Sequence, residues 1–176
     1  MSVPSANMLV AVLNGVVCVK ISGRANFTSS LGFKALIHEL KPRGHDRFVI
    51  DLSECLIMDS TFLGVLAGIG MNLAGEPGRP GGCPMELLNP NVRVADLLDN
   101  LGVLPLFKVS NCTPAPVAQF EPVAPAGTTP TRVDISRNCL EAHQTLMALN
   151  PANDARFKDV TRYLAEDLKK AEHQGD

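Results

Sequence analysis

Hydrophobic positions follow two different rhythms along this chain, and the change from one to the other lays out the elements. Residues 8–13 and 16–22 are β-rich apolar runs joined by Asn14-Gly15, a strong hairpin signal because both turn positions tolerate positive φ. Residues 23–26 read as a loop. From Thr28 to Leu40 the period lengthens, with Leu31, Ala35, Leu36 and Leu40 on one helical face. Thr28, Ser29 or Ser30 can cap that helix, and Pro42 and Gly44 end it. Residues 48–52, Phe-Val-Ile-Asp-Leu, are nearly all apolar, the pattern of a central strand covered on both faces. A helix opens at Asp59-Ser60. After it come a short strand at 85–88, a helix over 91–101 closed by Gly102, and a strand at 106–109. This is a hairpin followed by three helix–strand units, an α/β mixed sheet with helices packed on it.

The helix from Asp59 organises the rest. Between Phe62 and Met71 it carries no charge, and Phe62, Leu63, Val65, Leu66, Ile69, Met71 and Leu73 point all round it, as in a helix buried on every side. It is far shorter than the ~20 apolar residues needed to cross a bilayer. Ser60 lies at or beside the N-cap, where a hydroxyl can accept from unpaired backbone N–H groups. Gly64 and Gly68 continue from Ser60 a strip of small residues at intervals of four. Glycine inside a helix costs about 1 kcal/mol relative to alanine, so close approach of something is the reason to tolerate it. Packing on the sheet is the plainer candidate for that neighbour.

Beyond residue 112 the texture changes. Pro114, Pro116, Pro122, Pro125 and Pro130 mark 113–131 as a Pro/Ala/Thr-rich linker or extended arm. Residues 134–149 and about 153–171 form two amphipathic helices broken at Asn150-Pro151, the second with Phe157, Val160, Leu164 and Leu168 along a seam. Two such helices cannot bury themselves alone. They must pack on the domain, on a second copy as a homodimer, or on a partner. Folding back as an intramolecular cover over 59–74 is one form of the first option. The organisation is thus a domain over 1–112, a linker over 113–131 and a helical extension over 132–176.

Composition narrows the function classes. With 45% hydrophobic and 19% charged residues, the chain buries a real core. Residues 1–112 carry nine Lys/Arg and nine Asp/Glu, and 113–176 carry seven and nine, which gives the net charge of −2. That balance offers neither a nucleic-acid nor an anionic-membrane footprint. Cys18, Cys55, Cys83, Cys112 and Cys139 lack metal-ligand spacing, so no metal and no cofactor is expected. Free thiols without a signal segment at the N-terminus point to the cytoplasm.

The chemistry centres on Asp59-Ser60. A serine nucleophile needs a base within hydrogen-bond reach, but no GxSxG surrounds Ser60. His38, His45, His143 and His173 fall on helix surfaces, a loop or the tail, where solvated histidines are the rule. No phosphate-binding loop is present. An enzyme is not expected. Ser60 could instead be acted upon. A phosphate would add about −1.5 to −2 charge, which the helix N-terminus welcomes while Asp59 opposes it. Lost binding, not unfolding, would be the output.

Three segments carry a resemblance: Val49-Ile50-Asp51-Leu52-Ser53, Ile57-Met58-Asp59-Ser60-Thr61 and Leu63-Gly64-Val65-Leu66. In this order of elements they resemble the signature of the STAS domain, the fold of bacterial anti-sigma factor antagonists and of sulphate-transporter tails, over about residues 7–110. The resemblance implies a STAS-like α/β fold with the helical extension added. It also implies a signalling protein in transcription regulation, whose Ser60 is phosphorylated by an anti-sigma-factor serine kinase, with Thr61 the alternative acceptor. The unphosphorylated form would bind that kinase, and a phosphatase would reset it. Partner contacts would come from Asn26, Asp59, Ser60, Thr61, Phe62 and Gly64. Two positions depart from the family: Phe62 stands where glycine is usual, and Asn26 where many antagonists have aspartate. The competing expectations are a never-phosphorylated scaffold assembled through the C-terminal helices, and a module sensing a small anion or nucleotide at the same helix entrance.

Overall fold

The computed structural model describes residues 6–75, 84–112, 119–123 and 129–174; Cys83, the Gly/Pro-rich stretch 76–82 before it, and Pro114, Pro116 and Pro125 of the 113–131 stretch lie outside them. The hairpin forms as the pattern predicts. β1 (Asn7–Leu13) pairs antiparallel with β2 (Val16–Ala25) across Asn14 at φ 51° and Gly15 at φ 81°. Then follow α1 (Phe27–Leu40), β3 (Arg47–Met58), α2 (Ser60–Ala74), β4 (Met85–Leu88), α3 (Val92–Asn100) and β5 (Lys108–Ser110). A two-residue β6 (Glu121–Pro122) precedes α4 (Arg132–Leu149) and α5 (Asn153–Gln174). The sheet order is β5-β4-β3-β2-β1-β6, parallel from β2 to β5 and antiparallel at β1 and β6.

Two strand expectations need correction. β3 does not stop at Leu52 but runs to Met58, and β2 reaches Ala25 where a loop was expected. The polar pair Ser53-Glu54 interrupts the apolar run, yet the pairing continues. Lys20 to Ser22 faces Asp51 to Glu54, and Gly23 to Arg24 faces Cys55 to Ile57, so β3 carries one extra residue at each of two bulges. Nor is β3 covered on both faces. Phe48, Ile50 and Leu52 are buried in the core beside Val17, Val19 and Ile21 of β2, whereas the opposite face presents half-buried Cys18, Lys20, Val49 and Glu86.

The core joins the inner sheet face to Phe33 and Ile37 of α1, to Phe62, Leu63, Leu66 and Leu73 of α2, and to Ala142 and Leu146 of α4. The extension is therefore docked on the domain. Within 113–131, Glu121 and Pro122 form β6, which adds to the outer edge of β1 at Leu9 and Val10.

Candidate functional site

Ser60 sits where β3 hands over to α2. Asp59 follows Met58 in extended conformation (φ −92°, ψ 169°) and is the N-cap of α2, so Ser60 is its first helical residue. Capping by Asp59 ties three elements together. Its Oδ1 accepts from Phe62 N–H at 2.8 Å, and its Oδ2 accepts from Phe27 N–H at 2.8 Å at the start of α1. Its own N–H donates to Ala25 O at 2.9 Å at the end of β2.

Beside it, Asn26 caps α1, in place of Thr28, Ser29 or Ser30. Its Oδ1 accepts from Thr28 and Ser29 N–H at 3.1 Å each, and Ser29 Oγ accepts from Asn26 N–H at 3.0 Å. This reciprocal arrangement is a capping box. The two helices thus start side by side, each opened by a short polar side chain.

Burial pushes the Asp59 carboxyl above its ordinary value; the N–H donors of Phe62 and Phe27, nearby His143 and the N–H of Thr61 act in the opposite direction. The N–H groups that a small anion would use at this helix entrance already hold Asp59.

Ser60 is half-buried, and what covers it is α4. Ser60 Oγ lies 2.9 Å from His143 Nε2, while His143 Nδ1 lies 2.6 Å from the carbonyl oxygen of Cys139. A carbonyl only accepts, so in the neutral ring Nδ1 carries the hydrogen. Nε2 then accepts and the Ser60 hydroxyl donates. His143 was expected to be solvated, but it is buried, and its ring also meets Phe157 of α5 edge-on at 4.9 Å. Of the four histidines, His143 thus stands within hydrogen-bond reach of Ser60.

α4 lies over Ser60, the carboxylate of Asp59 caps the helix entrance, and Nδ1 of His143 faces a main-chain carbonyl, not an acid.

The remaining candidate residues are less accessible. Thr61 is buried, and its Oγ1 donates to Cys139 Sγ at 3.7 Å, a thiol that burial pushes up in pKa. Phe62 is fully buried against Phe33, ring centroids 5.3 Å apart. Its side chain fills the core, so it presents nothing to a partner in this conformation. The strip of small residues faces α4, not the sheet. A Cβ added at Gly64 would meet the Ala142 carbonyl carbon and Cβ at 2.7 Å, and the carbonyl oxygen closer still; one at Gly68 would meet Thr145 Cγ2 at 3.7 Å. Among the described residues, no group of three or more His, Cys, Asp or Glu could hold a metal ion.

A small α/β sheet with Asp-Ser at the entrance of its apolar helix is one observation, and comparison with known families decides what it means. The family model for the STAS domain matches residues 7–114. The chain belongs to the STAS family. No curated protein sequence matches it. Among solved structures, the STAS part is similar in fold to a putative anti-sigma factor antagonist of Thermotoga maritima (21% identity, 60% of this chain and 86% of that one, TM-score 0.52). The unphosphorylated form of the anti-sigma factor antagonist SpoIIAA is as similar (22% identity, 62% and 90%, TM-score 0.52). An anti-sigma factor antagonist of Mycobacterium paratuberculosis gives 23% identity, 62% and 89%, and a TM-score of 0.51. At these identities the likeness establishes the fold. The STAS match ends at residue 114, so α4 and α5 lie beyond it.

Proposed function

We propose that this protein is a non-enzymatic regulatory switch of the STAS family that binds a protein partner through the α2 face and is controlled by phosphorylation of Ser60. The observation that carries the reading is the position of Ser60: first helical residue of α2, directly after the β3 strand end, beside the N-terminus of α1. The partner is an anti-sigma-factor kinase-like protein, and the site of action is the cytoplasm. Membership of the STAS family and the fold likeness to anti-sigma factor antagonists support that partner class. Phosphorylation moves the γ-phosphoryl group of ATP onto Ser60 Oγ. The bond to ADP breaks, and the hydroxyl proton passes to the kinase's base. The added charge sits on the positive end of the α2 dipole, so the helix persists while a docked surface is repelled.

The test is phosphate incorporation by an anti-sigma-factor serine kinase into the wild-type chain and into Ser60→Ala, with partner affinity measured for Ser60→Glu. The reading expects no incorporation into Ser60→Ala and at least tenfold weaker binding by Ser60→Glu. Equal binding by Ser60→Glu and wild type would refute it.

A second reading, self-association through the extension, draws on the outer face of α5, where Val160 and Tyr163 are 45% and 69% exposed. Light scattering of the wild-type chain against Tyr163→Lys tests it, and an unchanged mass removes it.

A further inference from the structure

The Ser60 site is already occupied by the chain itself. α4 lies along the strip Ser60, Gly64 and Gly68 of α2, and each position has a matching partner: His143 on Ser60, Ala142 on Gly64, Thr145 on Gly68. The two helices approach closely only because Gly64 lacks a side chain, since a Cβ there would enter the main chain of α4. From this fit we infer that α4 is a built-in occupant of the α2 face, and that docked α4 and a phosphate on Ser60 exclude each other, so that phosphorylation releases the C-terminal helices. The inference rests on Ser60 being the modified residue.

The steric argument is local. A phosphate places a phosphorus and three oxygens on Oγ, and that oxygen has His143 Nε2 only 2.9 Å away. His143 cannot swing aside into solvent, because it is buried, bonded through Nδ1 to Cys139 O and backed by Phe157. A protonated His143 could pair with the phosphate only after α4 had moved back by the depth of the new group. α4 is a continuous helix, so retreat at His143 also opens the contact between Ala142 and Gly64 one residue away, and dispersion contacts fade within an ångström. Asp59, whose carboxylate caps the same turn, adds repulsion.

The interface also has the character of a contact made to be broken. Beside the buried Ala142 and Leu146 it holds several polar pairs: Ser60–His143, Thr61–Cys139, Asn138 donating to Ser30 Oγ at 2.9 Å, and Lys34 with Glu141 at 3.2 Å. Polar, imperfectly filled contacts mark interfaces between units that move relative to each other. Asn138 Oδ1 is buried there without a hydrogen-bond partner, an uncompensated cost of the docked state. A groove of about 170 Å³ lined by Lys34, His38, Val65, Ile69 and Thr145 runs between α1, α2 and α4. In the docked state, then, α4 shields the α2 face from kinase and partner alike, and partner binding requires the unmodified chain with α4 lifted; in the modified chain the cover is off, but the phosphate itself repels a partner from the exposed face.

The experiment uses the full chain with phosphoserine placed at 60 during translation, compared with the unmodified chain by hydrogen exchange. Amides of α4 are expected to exchange about tenfold faster or more, a shift in the docking equilibrium that corresponds to about 1.4 kcal/mol, with β3 amides unchanged. Unchanged α4 protection overturns the inference, and so does loss of β3 protection, because the inference confines the change to the α2–α4 contact. A second arm joins Gly68→Cys to Thr145→Cys in a Cys112→Ser background, locking α4 down by a disulfide. The locked chain should be phosphorylated at least tenfold more slowly by an anti-sigma-factor serine kinase than the same chain after reduction. Equal rates overturn the cover while leaving Ser60 a substrate. Modification in neither state refutes the phosphorylation switch itself, and the exchange arm still decides whether a phosphate releases α4.

Discussion

Adding one methyl group to α2 at two positions four residues apart should have opposite effects, and the difference measures how tightly α4 sits. Replacing either Gly64 or Gly68 by alanine gains the same helix preference, about 1 kcal/mol, so that contribution cancels in the comparison. At Gly68 the new Cβ would stand 3.7 Å from Thr145 Cγ2, ordinary van der Waals contact. Gly68→Ala should therefore stabilise by up to about 1 kcal/mol. At Gly64 the new Cβ would stand 2.7 Å from the Ala142 carbonyl carbon. Main chain cannot yield as a flexible side chain can, and overpacking of this kind costs about 1–3 kcal/mol. Gly64→Ala should thus be less stable than Gly68→Ala by about 1–3 kcal/mol, or roughly 2–4 °C in Tm per kcal/mol for a chain of this size. Urea unfolding followed by far-UV circular dichroism gives the two stabilities. Alkylation of Cys139, half-buried under the same contact, reports whether α4 has lifted, and it should be faster in Gly64→Ala alone. Equal stability of the two variants, or a more stable Gly64→Ala, would show that α4 does not rest on Gly64.

Further outcomes follow from the same geometry. Ser60→Ala leaves His143 Nε2 without its 2.9 Å partner and should cost about 1 kcal/mol in urea unfolding, with faster alkylation of Cys139. Phe62→Gly, which restores the residue usual in the family, empties a fully buried site against Phe33. It should cost about 3–5 kcal/mol for the lost ring, plus about 1 kcal/mol for helical glycine; a loss under about 2 kcal/mol would deny that the ring fills the core. Asp59 binds its proton more tightly folded than unfolded, because burial raises its carboxyl. The folded state therefore carries more proton at this group, and stability declines as pH climbs from the ordinary carboxylate range through the elevated value, then stays level. The urea-derived stability of wild type minus that of Asp59→Asn should decline across that window, and a rising difference would contradict the burial of Asp59.

What the sequence made legible was whatever is determined within a few residues. Asn14-Gly15 turns the hairpin, Gly102 closes α3 at φ 71°, and Asn150-Pro151 separates α4 from α5. The Asp-Ser pair marked the start of α2 for the same reason, although the cap is Asp59 and not the serine. Features made by distant segments were not legible. The continuation of β3 through Ser53-Glu54 depends on bulged pairing with β2, and β6 exists only because β1 is beside it. His143 reads locally as one polar residue on an amphipathic helix; its burial is decided by Ser60, 83 positions away. One signal was present. Ala142 and Thr145 place short side chains on α4 opposite Gly64 and Gly68 of α2, and small residues at helical spacing on two helices let them pack closely.

β6 has a consequence for how this protein keeps company. An open sheet margin is a template on which any stray strand can zip, and fibres grow that way. Here β6 covers one margin at Leu9 and Val10 of β1, and its Pro122 has no N–H to offer a newcomer, while the other margin is the three residues of β5 with Lys108 at their head. Along those stretches a stray strand finds a short, proline-interrupted or charged ladder instead of a long bare one.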